Sequence, residues 1–359
     1  MRIVVDVSPL SHVRTGVGNY IRGSLVGIVE ASAGADEVVA FAPASVRGKR
    51  EIESALDGVD VRRRLPVVPA GAHALRTLWS RAGSPPLERV VGALDVFHFS
   101  DWMYPPQRGG IRSTMVHDLV PLHHPEWVHP RTRTMHGAKY RHMAEACDVV
   151  MVNSRFTGDD VAATLGVDPA RIHVAYPGVD PGFVPEGERL DLDGRRYALT
   201  VATLEPRKNL SRLVEAYRQL DGNELSLLVV GAAGWGDQPE LDVPGIVRLG
   251  YTPRNDLPRL YRGASVVVYP SLFEGFGIPV IEAMACGVPC VASSHPSLDE
   301  ACGDAAVRAD PEDPAAIAAA IERALGNHDA LAARGLEHAR RFTWLDNGRA
   351  HLAAWQAAA

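Results

Sequence analysis

The chain has 359 residues, of which 46% are hydrophobic and 22% charged, and its formal net charge at pH 7 is −6. A chain of this length and composition folds into about two globular domains of roughly 150 residues each, which excludes a mainly disordered protein. The acidic balance argues against a nucleic-acid-binding protein, because such proteins usually carry a basic excess.

The start of the chain and its cysteines bear on where the protein works. The opening MRIVVDVS predicts a strand and not a signal peptide, and no run of about 18 apolar residues indicates a transmembrane helix. Four cysteines are too few for a disulfide framework in a chain of this length. We therefore expect a cytoplasmic protein in a reducing compartment.

Short apolar, β-branched runs alternate with segments of helical length along the whole chain. Because apolar strands that alternate with helices are typical of parallel sheets covered on both faces, we expect an α/β protein with two doubly wound, Rossmann-like domains. The predicted strands of the first half are Arg2–Val7, Glu37–Ala42, Asp95–His98, Ile111–Val116, Val149–Val152 and Ile172–Ala175. Those of the second half are Arg196–Ala202, Ser226–Gly231, Ile246–Leu249, Ser265–Tyr269, Val288–Ala292 and Ala305–Val307.

The stretch 176–195 is rich in proline, glycine and acidic residues and has no apolar periodicity, which predicts the boundary between the domains. We expect an N-terminal domain over 1–185, a C-terminal domain over 186–342 and a final helix over 343–359. Ligands of doubly wound sheets bind beyond the carboxyl ends of the strands. Chemistry is therefore expected at the strand ends, in a cleft between the domains.

The motif RTGVGNY at 14–20 follows the first predicted strand. It is an incomplete dinucleotide-binding fingerprint, because Ile21 stands in the place of the third glycine and the preceding turn is too long. A Rossmann oxidoreductase is therefore disfavoured. We expect Gly16 and Gly18 to let a loop approach a ligand closely.

The predicted strand 111–116 is followed directly by His117. A histidine at a strand end can bond a hydroxyl group or a developing charge, because its side chain titrates near neutrality. Five more histidines follow at 123, 124, 129, 136 and 142. We expect these five to be surface or local structural residues, and no metal is predicted, because the chain has no HExxH or Cys/His ligand pattern.

The motif TLEPRKNL at 203–210 lies between a predicted strand and a helix predicted over 209–220, which Asn209 or Ser211 would cap. Arg207 and Lys208 then lie at the positive end of the helix dipole, where cations are disfavoured unless an anion binds. A guanidinium and an ammonium group together suit a diphosphate. The alternative is a solvated basic pair that interacts with Glu205.

The stretch SVVVYPSLFEGFGIPVIEAMACGVPCVA at 265–292 predicts a buried strand, a glycine-rich loop and a short helix. Glu274 lies in the loop and Glu282 inside the helix. The first N–H groups of the helix can bind an anion, and the carboxylates can accept hydrogen bonds from sugar hydroxyls. The alternative is that both glutamates are solvated surface residues.

These motifs resemble those of the retaining glycosyltransferases of family 4, which have the GT-B fold and include mannosyltransferases. TGVGNY, VHDLVPLHHPEW, LEPRKNL and EGFGIPVIEAMACGVPCVAS occur in the family's order, and the resemblance covers essentially the whole chain. It implies two Rossmann-like domains that face an interdomain cleft, with 1–185 on the acceptor side and 186–342 binding the nucleotide sugar. It also implies that the C-terminal helix 343–359 crosses back to the first domain.

The resemblance also implies roles for single residues. Glu282 is expected to bind the donor ribose and Glu274 the hydroxyls of the donor sugar. Arg207 and Lys208 are expected to bind the diphosphate, and His117 to contact the donor sugar near the reacting carbon. The expected catalytic residues are His117, Arg207, Lys208 and Glu274. Glu282 is expected only to bind the donor.

The remaining expected contacts to the donor come from loops. The base is expected to rest on the region 250–253. One position departs from the family pattern, because Thr203 stands where many relatives carry an arginine, and Arg207 is expected to supply that charge. The loop residues expected to contact the nucleotide sugar are Gly16, Gly18, Tyr251, Gly275, Phe276 and Gly277.

The implied function is metal-independent transfer of a hexose, with retention, to a glycan or lipid-linked acceptor in cell-surface polysaccharide synthesis. The variant EPRKN favours mannose from GDP-mannose, and no permanently bound cofactor is expected. Alternatives are glucosyl or rhamnosyl transfer from a UDP- or dTDP-sugar, a nucleotide-sugar 2-epimerase, and a catalytically silent GT-B scaffold. The basic segment 61–142 has twelve Arg/Lys against five Asp/Glu, and it suggests peripheral contact with the inner membrane face. The surface expected for this contact consists of Leu75, Leu78 and Trp79 with the surrounding Arg62, Arg63, Arg64, Arg76 and Arg81. The alternative is a solvated arginine face.

Overall fold

Strands and helices alternate throughout the computed structural model, which describes residues 1–12, 16–68, 75, 78–79, 83–99, 104–220, 225–236 and 239–359. The first strands are β1 Arg2–Asp6, β2 Glu37–Phe41, β3 Arg62–Arg64, β4 Val96–Phe99, β5 Ile111–Val116, β6 Val149–Val152 and β7 Ile172–Val174. The later strands are β8 Arg196–Val201, β9 Leu225–Val230, β10 Ile246–Gly250, β11 Val266–Tyr269, β12 Cys290–Ser293 and β13 Ala306–Ala309.

The helices of the described residues fall between these strands and after the last one. Those before β8 are α1 Gly16–Ser32, α2 Val46–Ala55, α3 Glu88–Val91, α4 Val120–His123, α5 Pro130–Ala146 and α6 Arg155–Leu165. Those after β8 are α7 Leu210–Tyr217, α8 Leu257–Gly263, α9 Ile278–Ala285, α10 Asp299–Cys302, α11 Pro314–Gly326, α12 His328–Ala339 and α13 Trp344–Ala358.

The chain divides into two compact units. Unit 1 comprises Met1–Leu119, Arg131–Gly178 and Thr343–Ala359, and unit 2 comprises Val120–Pro130 and Val179–Phe342. The predicted division into domains 1–185 and 186–342 stays a prediction. The sequence pattern gives no sign that 120–130 joins unit 2, because this segment lies inside the regular alternation of the first half.

Unit 1 contains a parallel sheet with the strand order β3-β2-β1-β4-β5-β6-β7. Buried apolar clusters cover both faces, one around α1 and α13 and one that includes α5. Each of the six strands predicted for the first half overlaps an observed strand. β3 was missed because its three arginines carry no apolar signal.

The contacts of β3 and its surroundings bear on the predicted membrane surface. Arg62 pairs with Glu37 at 2.5 Å, and Arg63 donates to the carbonyl of Leu56 at 2.7 Å. Trp79, expected beside these arginines at the surface, is buried and donates to the carbonyl of Pro85. The expectation that Trp79 is exposed is therefore wrong. Arg76 and Arg81 lie outside the described residues.

Unit 2 contains a parallel sheet with the strand order β10-β9-β8-β11-β12-β13. The chain winds outward in one direction from β8 and in the other from β11. Neighbouring strands at such a reversal leave a crevice beyond their carboxyl ends, because the segments that follow them depart to opposite faces. The segments after β8 and β11 are therefore the place to look for a site in this unit.

The final helix, α13, returns to unit 1. Trp344, Leu352 and Trp355 are buried in the cluster that also contains Ile3 and Val5 of β1. This agrees with the predicted crossing of residues 343–359 back to the first domain. In the described ranges, no helix is both long enough and apolar enough to span a membrane. All four cysteines are buried and unbridged.

Candidate functional site

Two loops meet beyond the carboxyl ends of β8 and β11. After β8 the chain makes a 3-10 turn over Pro206–Lys208 before α7 begins. After β11 it runs through Glu274 to α9. The N–H of Leu272 donates to the carbonyl of Arg207 at 2.8 Å, which fixes the second loop against the first. The sheet topology thus brings together side chains that lie more than 60 positions apart in the sequence.

Glu274 lies at the centre of a buried ion cluster. Its Oε2 pairs with Arg207 Nη1 at 2.8 Å, and its Oε1 pairs with Lys208 Nζ. The Tyr269 hydroxyl accepts from Lys208 at 2.8 Å and donates to Glu274 Oε1 at 2.9 Å. Arg207 Nε also contacts Glu205 Oε2 at 3.2 Å. The structure therefore joins Arg207, Lys208 and Glu274 as expected.

Burial decides between the two interpretations of this motif. Lys208 and Glu274 are 7% and 6% exposed, so neither is a solvated surface residue. Arg207 does pair with Glu205, as the alternative expected, but it contacts Glu274 as well. A buried charge is costly unless it is paired and hydrogen-bonded, and this cluster meets that condition.

The charges of the cluster shift the titration of its members. Burial alone would raise the pKa of Glu274, but Arg207 and Lys208 outweigh burial and lower the pKa to about 2. Burial and the neighbouring Arg207 charge lower the pKa of Lys208, which Glu274 partly opposes. Burial and then the Glu274 charge raise the pKa of Tyr269 well above its ordinary value. Glu274 is therefore an ionised hydrogen-bond acceptor at neutral pH.

Polar residues that the sequence did not single out hold the two loops in place. The N–H of Glu274 donates to the Ser297 hydroxyl at 3.0 Å, and this hydroxyl lies 2.9 Å from His295 Nδ1. Asn209 has a left-handed backbone, with φ of 59°, and its amide donates to the carbonyls of Pro270 and Pro311. The expectation that Asn209 caps α7 through its side chain is wrong, because its Oδ1 accepts instead from Arg212 Nη1 at 3.1 Å.

The loop before α9 is bordered by aromatic rings. His123 and His124 each lie 5.9 Å from the ring of Phe273, and His295 lies 5.2 Å from it. His123 and His124 belong to the five histidines that were expected to be surface or local structural residues. They lie against Phe273, the residue before Glu274. No sequence motif indicated the contact, because it depends on residues 120–130 joining unit 2.

The residues of the glycine-rich loop have different environments. Phe276 is buried and packs on Phe342 at 5.2 Å, so its side chain belongs to the core. Gly277 has φ of +108°, and an added Cβ would lie 2.5 Å from Leu298, so this position requires glycine. Gly275 and Gly277 therefore offer backbone groups next to the start of α9, as an anion site at a helix N-terminus needs.

Glu282 lies in α9 and is 2% exposed. Its Oε1 accepts from Arg254 Nη1 at 2.5 Å, and its Oε2 accepts from the Tyr261 hydroxyl at 3.0 Å. Burial raises the pKa of Glu282 despite the opposing charge of Arg254. The surface-residue alternative is wrong for Glu282. Its partners Arg254 and Tyr261 belong to no motif that the sequence displays.

Tyr251 directly follows β10, the strand at the edge of the sheet. It is 49% exposed, and so offers an open ring surface in the 250–253 region where the base is expected. The remaining predicted residues lie in unit 1. His117 follows β5, and its ring meets the ring of Tyr20 edge-on at 5.0 Å. Gly16 and Gly18 lie in the first turn of α1 and not in the expected loop.

The described residues contain no group of three or more His, Cys, Asp or Glu side chains arranged to hold a metal ion. The positive charges that the structure places beside Glu274 come from Arg207 and Lys208. An arrangement of two cations, a helix N-terminus and two buried carboxylates can bind a diphosphate and the hydroxyls of a sugar.

Comparison with known proteins agrees with this chemistry. Residues 24–183 match the family model described as Glycosyltransferase Family 4, and residues 188–342 match the model described as Glycosyl transferases group 1. The chain is 30% identical over 375 residues to O-antigen chain mannosyltransferase B of Escherichia coli, with 96% of each chain covered.

Solved structures agree in fold. Sucrose-phosphate synthase from Thermosynechococcus elongatus has a TM-score of 0.71 at 19% identity, with 99% of this chain and 98% of that chain covered. Anabaena Alr3699/HepE in complex with UDP-glucose has a TM-score of 0.70 at 16% identity, with 99% and 100% covered. The fold is that of the GT-B glycosyltransferases, which confirms the predicted fold class. The chain belongs to glycosyltransferase family 4 within that class.

Proposed function

We propose that the chain transfers mannose from GDP-mannose to a hydroxyl of a glycan or lipid-linked acceptor in cell-surface polysaccharide synthesis, with retention at the anomeric carbon. The observation that carries the proposal is the buried cluster of Arg207, Lys208 and Glu274 at the ends of β8 and β11. Mannose is favoured by the EPRKN motif and by the name of the Escherichia coli relative.

The proposed step breaks the bond between the anomeric carbon and the diphosphate oxygen. The acceptor oxygen bonds to the same face of that carbon, and its proton passes to the departing phosphate. Negative charge grows on the diphosphate as its bond breaks. Arg207, Lys208 and the backbone N–H groups at the start of α9 would stabilise this charge more in the transition state than in the ground state.

The two carboxylates serve recognition in this proposal. Glu274, ionised because of Arg207 and Lys208, accepts hydrogen bonds from hydroxyls of the donor sugar. Glu282 accepts them from the ribose, and Tyr251 offers its exposed ring to the base. Because the protein itself supplies cations for the diphosphate, no metal ion is required. His117 of unit 1 is proposed to contact the donor sugar, and Gly16 and Gly18 the phosphates.

Nucleotide binding can be measured by thermal unfolding with GDP, UDP, ADP, dTDP and the corresponding sugars. A ligand that binds only the folded state raises the melting temperature by mass action. The proposal expects the largest increase from GDP and GDP-mannose. A larger increase from UDP or dTDP compounds would support glucosyl or rhamnosyl transfer instead. The anomeric configuration of the product, determined by NMR, tests retention.

Lys208→Met tests the role of the buried ammonium group. Loss of one donor to a developing oxyanion typically lowers kcat by 10²-fold or more, and we expect at least that loss here. Lys49→Met is the matched control, because Lys49 is partly exposed on α2 and pairs only loosely with Glu53 at 3.7 Å. Folding of both variants is checked by circular dichroism. Turnover by folded Lys208→Met close to that of wild type would contradict the assignment.

Peripheral contact with an anionic membrane surface is a second part of the proposal. Arg62, Arg63 and Arg64 are exposed on β3, and Leu78 is 46% exposed. Buried Trp79 contributes nothing to such a contact. Sedimentation with vesicles of phosphatidylcholine, with and without phosphatidylglycerol, should show binding only to the anionic vesicles at low salt. If equal amounts of the protein stay in the supernatant with both kinds of vesicle, this part of the proposal is contradicted.

A further inference from the structure

An arginine whose side chain is 9% exposed holds the carboxylate of Glu282 and has no role in the function proposed above. Arg254 begins the 3-10 turn after β10. Its Nη1 donates to Glu282 Oε1 at 2.5 Å, and its Nε donates to Asp180 Oδ2 at 2.8 Å. The guanidinium lies 4.5 Å from the centre of the Phe183 ring. Two ion pairs and an aromatic face therefore fix the orientation of Arg254.

The surroundings of Glu282 make it depend on this arginine. Its carboxylate is buried, and Asp180 adds a second negative charge nearby. The other titratable groups around it are the Tyr261 hydroxyl, which donates to Oε2, and the thiol of Cys286. Among these neighbours, Arg254 is the cation that pairs with Glu282. Without it, a buried carboxylate beside another carboxylate would bind a proton more readily.

The charge of Glu282 decides what it can recognise. An ionised carboxylate only accepts hydrogen bonds, and each of its oxygens has two lone pairs. Arg254 and Tyr261 each use one acceptor position, so both oxygens can accept a further bond from adjacent hydroxyls. A protonated acid becomes a donor on one oxygen and matches two donor hydroxyls poorly. Loss of the charge therefore weakens recognition of a diol in particular.

We propose that Arg254 is a positioning residue of the nucleotide site: it keeps Glu282 ionised and oriented, so that the site selects nucleotides with free 2′ and 3′ ribose hydroxyls. The inference rests on the proposed function, in which Glu282 binds the ribose. Asp180 and Phe183 act through Arg254, since they hold its guanidinium against Glu282.

The test compares the Kd values of GDP and 2′,3′-dideoxy-GDP by calorimetry at pH 6.0 and pH 8.5, with the uridine pair in parallel. Hydrogen bonds to a charged group contribute about 1.5–3 kcal/mol, so wild type should prefer GDP by about tenfold or more at both pH values. Arg254→Met should lose most of this preference at pH 6.0 and regain part of it at pH 8.5, because a higher pH favours the ionised form of Glu282. Arg254→Lys, which keeps the charge, should retain most of it.

The controls separate this inference from the proposed function. Glu282→Gln should abolish the preference at both pH values, and the double variant with Arg254→Met should be no worse, because Arg254 acts through Glu282. Arg323→Met, at an exposed position on α11, should behave as wild type. If Arg254→Met does not fold, Arg254→Gln replaces it.

Three outcomes overturn the inference. If Glu282→Gln loses the preference while Arg254→Met keeps it, or binds GDP more tightly than wild type, Arg254 does not position the carboxylate. If Glu282→Gln itself keeps the preference, the ribose contact of the proposed function is wrong and the inference fails with it. An equal weakening of GDP and dideoxy-GDP binding in Arg254→Met would assign Arg254 a merely structural role.

Discussion

Tyr269 connects the two charged groups at the centre of the site. Its hydroxyl accepts from Lys208 and donates to Glu274, so one side chain orients a cation and an anion together. The ring also lies 5.1 Å from the Lys208 ammonium, within reach of a cation–π interaction. At the scale of single residues, the geometry of this site therefore depends on a neutral group as well as on charged ones.

Tyr269→Phe should lower both activity and stability. The substitution leaves a buried ammonium and a buried carboxylate with one partner fewer each, which costs about 1–3 kcal/mol. We expect kcat/KM to fall by about tenfold and the melting temperature to fall by about 2–12 °C. Steady-state kinetics and calorimetric unfolding measure the two effects.

Tyr217→Phe is the matched control for this substitution. The Tyr217 hydroxyl donates to the carbonyl of Leu225 at 2.9 Å, so its removal also breaks a hydrogen bond in unit 2. Its partner takes no part in the ion cluster. The control should therefore lose stability but keep kcat/KM within about twofold of wild type. Equal losses of activity in the two variants would mean that Tyr269 matters only for folding.

The site residues show what sequence reasoning can find. Arg207, Lys208, Glu274 and Glu282 were predicted because each belongs to a local motif next to a strand end. Tyr269, Arg254 and Asp180 were missed because their roles come from contacts between segments 28 to 74 positions apart. A tyrosine in a buried strand or an arginine in a surface turn gives no local signal of such a partner.

At the scale of elements, the closest packing in unit 1 joins α1 to α13. A Cβ added to Gly27 would lie 1.8 Å from the carbonyl oxygen of Trp344, and one added to Gly348 would lie 2.0 Å from the carbonyl oxygen of Gly27. The two backbones are therefore in direct contact at this crossing. No side chain larger than hydrogen fits at either position without moving a helix.

Gly27→Ala should destabilise unit 1 by about 3 kcal/mol, since overpacking against a rigid backbone typically costs 1–3 kcal/mol and sometimes more. The gain in helix propensity from alanine, about 1 kcal/mol, is too small to compensate. Urea unfolding followed by circular dichroism measures the loss. Gly16→Ala in the same helix is the control, because a Cβ there meets nothing within 4 Å and should cost little. Equal stability of the two variants would contradict the tight crossing.

The elements differ in how clearly the sequence announces them. The buried strands were predictable because continuous apolar runs have few other uses in a soluble chain. β3 was not, because its pairing with β2 depends on backbone hydrogen bonds and on the partners of Arg62 and Arg63. The helical start of α1 at Gly16 was also missed, since glycine pairs are more typical of turns.

At the scale of the whole molecule, the histidines whose pKa is lowered by burial are distributed unevenly. Among the described residues, burial lowers the pKa of His98, His142, His173 and His351, all in unit 1. Among the described residues of unit 2, burial lowers the pKa of His295. His98 and His351 lie in the buried cluster of Ser113 and Trp355, which ties α13 to the sheet of unit 1.

Unit 1 should therefore lose stability before unit 2 as the pH falls. A histidine with a lowered folded pKa contributes stability above its unfolded pKa, and that contribution is lost as the pH falls from 6.5 towards the folded value. For His351, with a folded pKa of about 4, the loss at pH 5 is about 2 kcal/mol, and His98 adds to it. In unit 2, Glu274 has a folded pKa of about 2 and costs stability only below its ordinary value of 4.5.

Hydrogen exchange at pH 7.5 and pH 5.0, corrected for intrinsic rates, can resolve the two units in the intact chain. The amides of β1 and β5 should lose protection at pH 5.0, whereas those of β8 and β11 should keep it. His351→Gln removes one titrating group from unit 1 and should make the protection of β1 and β5 less dependent on pH. Parallel loss in both sheets, or earlier loss in β8 and β11, would show that these histidines do not govern the acid stability of the fold.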